Sequence, residues 1–229
     1  MPSLIFHLHL AKTLASQNPV YAVPDFFLGH IAPDAPLSAA TPPPNYPSFG
    51  AYKNAAHLRP TEGVSGHRLS PDEAKALWRE NALANYHAIK DPDLFDLGYT
   101  MHILTDIEFR RYMRHYYDTH QIPEAKRENH DAYLMPKLFR SLFPSAKAYL
   151  DCLDFAAQAP RKNYPFAIDA AAMRDHIDYA RELAALFTEP YIEANQKTTL
   201  PDIPAEPLTA MILQAISFQN PTSNPPRSA

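Results

Sequence analysis

At 229 residues, with 46% hydrophobic and 20% charged residues and a net charge of -4, the chain is long and apolar enough to bury a core of its own. The mildly acidic balance, with no long basic run, gives a nucleic-acid partner no electrostatic support. The single cysteine, Cys152, excludes an internal disulfide and any multi-cysteine zinc site, which leaves histidine and carboxylate as the metal-ligating types.

The first segment, Met1 to Lys12, lacks a basic n-region, and His7 and His9 interrupt its apolar run. It reads as mature sequence, and no apolar stretch approaches the roughly 18 to 20 residues of a membrane span. A soluble, cytoplasmic protein is therefore expected. Ser3 is a candidate cap for a first helix to about Ser16, with Leu4, Leu8, Ala11 and Ala15 on one stripe and His7 beside it. His9 lies two positions on and faces roughly 160° away, toward the surface.

Residues 24 to 32 predict a short helix opened by Pro24, and Asp34 follows on a turn between Pro33 and Pro36. From Pro36 to about Leu69 the composition predicts a long irregular loop, with His57 as a candidate ligand within it. Ser70-Pro71-Asp72-Glu73 is a helix start, and that helix runs to about Ile89 with Leu77, Trp78 and Leu83 as core candidates. A long helix then spans Pro92 to about Thr119.

Further helices are expected from Pro123 to Phe143, divided near Pro136, and over Ser145 to Gln158, Asp169 to Phe187 and Leu208 to Phe218. No alternating strand pattern competes. The fold class is all-α: a single helical metal-binding domain over 1–219 and a frayed tail over 220–229.

Within the long helix, His102 and Asp106 are four residues apart, so both side chains leave one face and can converge on one cation. His7, Asp34 and His57 add ligand-type side chains from three other segments, a set suited to zinc where thiolates are absent. Arg110, Arg111 and Arg114 follow on the same helix as forked phosphate donors or as charges favoured by the helix dipole. Tyr112, Tyr116 and Tyr117 read as interior packing.

The combination Phe27-Leu-Gly-His-Ile-Ala-Pro-Asp34, then Ala56-His57, then Leu97-Gly-Tyr-Thr-Met-His102-Ile-Leu-Thr-Asp106 resembles the zinc-dependent phospholipase C family, whose superfamily includes the fungal zinc nucleases. The likeness covers about the first half of the chain. It implies a helical bundle of that type and a zinc-dependent hydrolase whose metal-activated water attacks the phosphorus of a small-molecule or lipid phosphodiester. It also implies zinc ligation by His7, Asp34, His57, His102 and Asp106, with Asp34 and Asp106 serving catalysis and Asp106 bridging two ions.

Two departures stand out: the chain begins Met-Pro-Ser where secreted members supply a tryptophan ligand, and the downstream His-x-x-x-Glu pair is missing. Leu134 follows His130 and Ala180 follows His176 at that spacing. His130 and Asp131 are the nearest late metal ligands, with His115 or His176 behind them.

The His130-Asp131 doublet also supports a different enzyme, an HD-type phosphohydrolase with His102 or His87 as first ligand and Asp151 or Asp178 as last. A third reading is non-catalytic, a helical protein that retains a structural metal site.

Overall fold

The computed structural model describes residues 4–39, 41–60, 69–125, 127, 138, 140–166, 168–187 and 203–216. These residues are helical with no strand among them, as the sequence pattern predicts. The α-helices are α1 (Leu4–Gln17), α2 (Pro24–Gly29), α3 (Phe49–Ala56), α4 (Pro71–Ala88), α5 (Leu94–Thr119), α6 (Ala146–Ala156), α7 (Ala170–Glu182) and α8 (Ala205–Ile216). Three 3₁₀ segments, Pro19–Tyr21, Ala32–Leu37 and Leu183–Phe187, complete the described elements. None of these helices is long and apolar enough to cross a membrane.

Local chemistry explains where the helices begin. Ser70 accepts the Glu73 amide while the Glu73 carboxylate accepts the Ser70 amide, a reciprocal capping box that opens α4. Asp93 and Asp96 do the same for α5, so that helix starts at Leu94 and Pro92 lies just outside it. Ser145 caps α6 and Asp169 caps α7 through the third amide of each helix.

The axis of the fold is α5. Every position from Leu97 to Phe109 is buried, which a helix reaches only when neighbours cover all its faces. Those neighbours are α2, α4, α8, α1 and the 3₁₀ segment 32–37. Tyr116 and Tyr117 are buried and Tyr112 packs partly against the core, so this cluster serves packing.

Helices α2 and α5 meet backbone to backbone. A Cβ on Gly29 would fall on the Phe95 carbonyl oxygen, and one on Gly98 would fall on the Phe26 carbonyl oxygen. Only glycine at both places lets the two backbones meet, so the glycines of the two motifs set the helix–helix approach.

Several expectations need correction. The stretch from Pro36 to Leu69 contains α3, opened by Ser48, whose hydroxyl accepts the Ala51 amide. The expected turn at Asp34 is present, as the 3₁₀ segment 32–37 that Pro33 starts and that accommodates Pro36. Leu77 is exposed, whereas Trp78 is buried and Leu83 packs partly against the core. His9 is half-buried instead of fully exposed: its Nδ1 bonds to the Leu142 carbonyl at 2.9 Å and its ring sits edge-on to Phe143. Residues 128–137, the boundary at 219 and the tail 220–229 lie outside the described residues, and with them His130, Asp131 and Pro136.

Candidate metal centre

The α2–α5 crossing fixes the first ligand. With the backbones in contact, the His30 carbonyl at the end of α2 accepts a hydrogen bond of 2.7 Å from His102 Nδ1. A carbonyl can only accept, so Nδ1 carries the proton and Nε2 keeps its lone pair. The C-terminal turn of α3 treats His57 alike: Nδ1 donates to the Lys53 carbonyl at 2.9 Å, again leaving Nε2 as the donor atom for a metal.

The two Nε2 atoms face each other at 3.3 Å. Asp34 Oδ1 is 3.3 Å from His57 Nε2, and Asp106 Oδ2 is 3.7 Å from the same nitrogen. Two ligands about 2.0–2.1 Å from a tetrahedral zinc stand about 3.3–3.4 Å apart, so the shortest of these separations match edges of a coordination tetrahedron. Neutral imidazoles that direct lone pairs at one another repel, and a shared cation relieves that repulsion.

His7, from the buried half of α1, completes the other side. Its ring stacks on His102 with centroids 3.7 Å apart and 11° between planes, and its Nε2 lies 3.5 Å from Asp106 Oδ1. Neither His7 nitrogen has a hydrogen-bond partner among the described residues, and neither does Asp106 Oδ2. Buried polar atoms without partners are costly, and a ligand is one way to satisfy them. Two buried groups can therefore hold metal ions: Asp34, His57 and His102, and His7, His102 and Asp106. Because His102 has only Nε2 to give, it completes one group at a time. Asp106 turns one oxygen toward each.

The protonation states suit ligation. Burial pushes the Asp34 carboxyl up, but His57, with Nε2 3.3 Å from Oδ1, and the neighbouring His102 and Lys53 outweigh it and hold the group well below the carboxylate range. Asp106 shows the same balance, with His7 Nε2 3.5 Å from Oδ1 and the His102 and His57 rings close by. Burial, reinforced by His7, holds His102 well below its ordinary value, so its ring is neutral at pH 7. Ionised carboxylates and neutral imidazoles are what a metal requires.

Several contributors have no counterpart in the sequence reading. Lys53 is buried with Nζ 3.1 Å from Asp34 Oδ1. Arg59 reaches to 3.9 Å from Asp106 Oδ2 while its guanidinium lies 4.9 Å from the centre of the Trp78 ring. Trp78 Nε1 donates to the His57 carbonyl at 2.5 Å, and Tyr99 donates to the Ala56 carbonyl at 2.5 Å, so the end of α3 is held from both sides.

The turn itself is a left-handed helix stop. Leu58 has φ 54°, its amide bonds to Ala55 and the Arg59 amide bonds to Asn54, which turns the chain back and brings Arg59 beside the cluster. A readable signal existed, a serine cap at 48 followed by eight residues without proline, with Lys53 one turn before His57.

The remaining candidates fall elsewhere. His30 is buried behind the site, its ring edge-on to Phe26, and burial together with His7 lowers it to about 3. His176 is buried and its Nδ1 lies 3.0 Å from Ser38 Oγ, outside both groups. His115 and His87 are exposed. Asp151 pairs with Lys147 at 2.7 Å and Asp178 with Arg181 at 2.6 Å on the surface. Among the three arginines of α5, Arg111 is taken by Glu108 at 2.7 Å, Arg114 is exposed, and Arg110 lies 5.5 Å from the Trp78 ring centre.

These features define a helical protein with a buried histidine and aspartate cluster able to hold metal. No protein-family model, no curated protein and no solved structure matches the chain.

Proposed function

We propose that the protein is a metal-dependent hydrolase of phosphodiesters, with zinc as the metal. The observation that carries the reading is the mutual approach of His57 Nε2, His102 Nε2 and Asp34 Oδ1 at coordination-edge distances, with both imidazole tautomers set by backbone carbonyls. The all-nitrogen and oxygen donor set, buried and without thiolate, suits zinc. The choice of a phosphodiester comes from the Gly-x-x-x-Pro-Asp turn ending at Asp34 and the Gly-x-x-x-His-x-x-x-Asp helix ending at Asp106, the motifs shared with zinc-dependent phospholipases C and zinc nucleases.

When bound, such an ion supplies Lewis acidity toward a phosphoryl oxygen and a nucleophile from water at neutral pH. In this reading Asp34, His57 and His102 hold one ion. A second ion would be held by His7 and Asp106, and the carbonyls of His30 and Lys53 keep the two imidazoles in the ligating tautomer. The burial of the cluster keeps bulk water from competing for these atoms.

Metal content and turnover test it together. Protein purified without chelator, or refilled with zinc, is expected to hold at least one ion per chain and to hydrolyse bis(p-nitrophenyl) phosphate. Asp106→Asn is expected to lose more than the roughly 10–100-fold that removal of an outer-shell partner costs. Less than one ion per chain with no response to added zinc would sink the reading.

The pairing of Lys53 with Asp34 favours a second reading, a non-catalytic helical protein with a structural polar or metal site, since that carboxylate already has a counter-charge. Zinc retention with no turnover of any diester selects it.

A further inference from the structure

A lysine is rarely buried unless an anion pairs with it. Lys53 is 7% exposed, and the one carboxylate within ion-pair distance of its ammonium among the described residues is Asp34, with Nζ 3.1 Å from Oδ1. That oxygen also stands 3.3 Å from His57 Nε2, so it is the one that Asp34 turns toward the imidazoles of its metal-holding group. A single carboxylate oxygen therefore faces two cationic partners, the ammonium beside it and the ion the group can hold.

The two cannot share it without cost. Asp34 carries one negative charge, and a divalent ion that draws on it leaves the ammonium beside an excess of positive charge. Ligating imidazoles are neutral and bring nothing to offset that excess. Water screens the repulsion poorly, because the two side chains are only 9% and 11% exposed. At the other carboxylate, Asp106, the Arg59 guanidinium is 3.9 Å from Oδ2, so the closer competition falls on Asp34.

Lys53 is also built to yield. Asp34 Oδ1 has no directed hydrogen bond among the described residues, so charge and not a locked geometry holds the ammonium there. The ammonium sits at the end of a flexible four-carbon stem, on the short helix α3 in the half of the cluster that meets solvent. It is the Lys53 carbonyl, not the side chain, that accepts the proton of His57 Nδ1. The side chain can therefore leave while the main chain keeps His57 in its ligating tautomer.

We propose that Lys53 is an internal competitor for the metal. In metal-free protein its ammonium neutralises Asp34 and keeps that carboxylate paired. Zinc entering the Asp34, His57 and His102 group displaces the ammonium toward solvent, so this lysine sets how tightly the group holds its ion. The proposal rests on the metal-dependent reading of the same centre. The counter-charge that favours a purely structural site is, in this account, the group that metal removes.

Two measurements on the full chain test it. The first is zinc affinity by competition with a chromophoric chelator. Lys53→Met keeps the backbone carbonyl and removes the charge, and is expected to bind zinc at least about tenfold more tightly than wild type. Lys53→Arg, which keeps the charge, is expected to stay within about threefold of wild type. Metal-free Lys53→Met is expected to melt below wild type, because Asp34 loses its partner, and zinc should close the difference. A lysine that served only to support the fold would give the opposite sign, weaker zinc binding once removed.

The second measurement uses the wild-type chain and decides the matter where Lys53→Met does not fold. Acetylation of Lys53 by N-hydroxysuccinimidyl acetate, followed by peptide mass spectrometry, is expected to quicken several-fold at saturating zinc. Lys147, exposed on the surface, serves as the unchanged reference. Zinc affinity in folded Lys53→Met equal to or weaker than wild type, or labelling of Lys53 that zinc leaves unchanged or slows, overturns the proposal and leaves the hydrolase standing. Both expected effects in a protein that turns over no diester would keep the competitor and remove the hydrolase. Zinc uptake by neither wild type nor Lys53→Met removes both.

Discussion

The two halves of the cluster are built by different means. His102, Asp106 and His7 stand on α5 and α1, long helices whose contributing stretches are buried, and the Gly29–Gly98 contact locks α2 against them. Asp34, His57, Lys53 and Arg59 stand on a 3₁₀ segment and on the eight-residue α3 with its left-handed stop, and this half is the one that meets solvent. The rigid half owes its precision to packing density, where backbone meets backbone and nothing can shift by a fraction of an ångström without a clash. The other half owes its precision to single hydrogen bonds, from Trp78, Tyr99 and the cap at Ser48. A metal that needs ligands from both is expected to be lost by damage to either, but through different signatures.

The largest effect is expected from Gly98→Ala. The added methyl has to displace the Phe26 carbonyl, so α2 moves off α5 and the His30 carbonyl leaves His102. A cost of about 3 kcal/mol, at the upper end for overpacking, is expected in denaturant titrations, with zinc affinity falling in both groups. A variant that keeps wild-type stability would show the helix approach is not set by this glycine.

Trp78→Phe acts on the other half of the cluster, through His57 and Arg59. It leaves the His57 carbonyl without its donor and removes the indole under Arg59, which is expected to cost about 1–3 kcal/mol as an unsatisfied buried acceptor. Zinc content should fall while the His7–His102 stack persists, which ring-proton chemical shifts in NMR would report.

Acid should act on both halves at once. His30 and His176 are buried with folded pKa values lowered to about 3 and about 4, so the unfolded chain binds protons that the folded chain refuses. For a depressed pKa the stability is fully present above the unfolded value of about 6.5 and is lost as pH falls toward the folded value. Each histidine therefore removes about 1.4 kcal/mol per pH unit below about pH 6. Melting curves of metal-free protein between pH 7 and 5 check this, and His176→Gln should reduce the slope by about 1.4 kcal/mol per pH unit, leaving the share of His30, His102 and His9. An unchanged slope would mean that His176 takes up its proton in the fold.

The smallest effect is expected from Ser48→Ala, which removes the cap of α3. About 1 kcal/mol is typical for such a cap. The telling readout is local: faster amide exchange in residues 49–57 with α5 unchanged would show that α3 is the softer support.

Much of this molecule was legible in one dimension because the relevant physics is local. The capping chemistry at Ser70, Ser145 and Asp169 predicted three helix starts, and the four-residue spacing of His102 and Asp106 predicted that both project from one face. Proline punctuation placed Asp34 correctly on a turn between Pro33 and Pro36, here a 3₁₀ turn, but it misled further on, where the proline-rich run before Ser48 hid a helix whose own eight residues hold none. Helical geometry alone puts His9, two residues from His7, on the far face of α1, yet Leu142 and Phe143 partly cover it there.

By itself the sequence determined the helical character of the described residues and named seven ligand-type residues, five of which the structure brings together, since helix propensity, caps and side-chain spacing depend on neighbours within a turn or two. Only the tertiary structure decided that His7 stacks on His102, that two backbone carbonyls select the ligating tautomers, and that Lys53 and Arg59 join the carboxylates. Those outcomes depend on how closely whole helices approach. That distance is set by what lies between them, here a pair of glycines more than sixty residues apart in the chain.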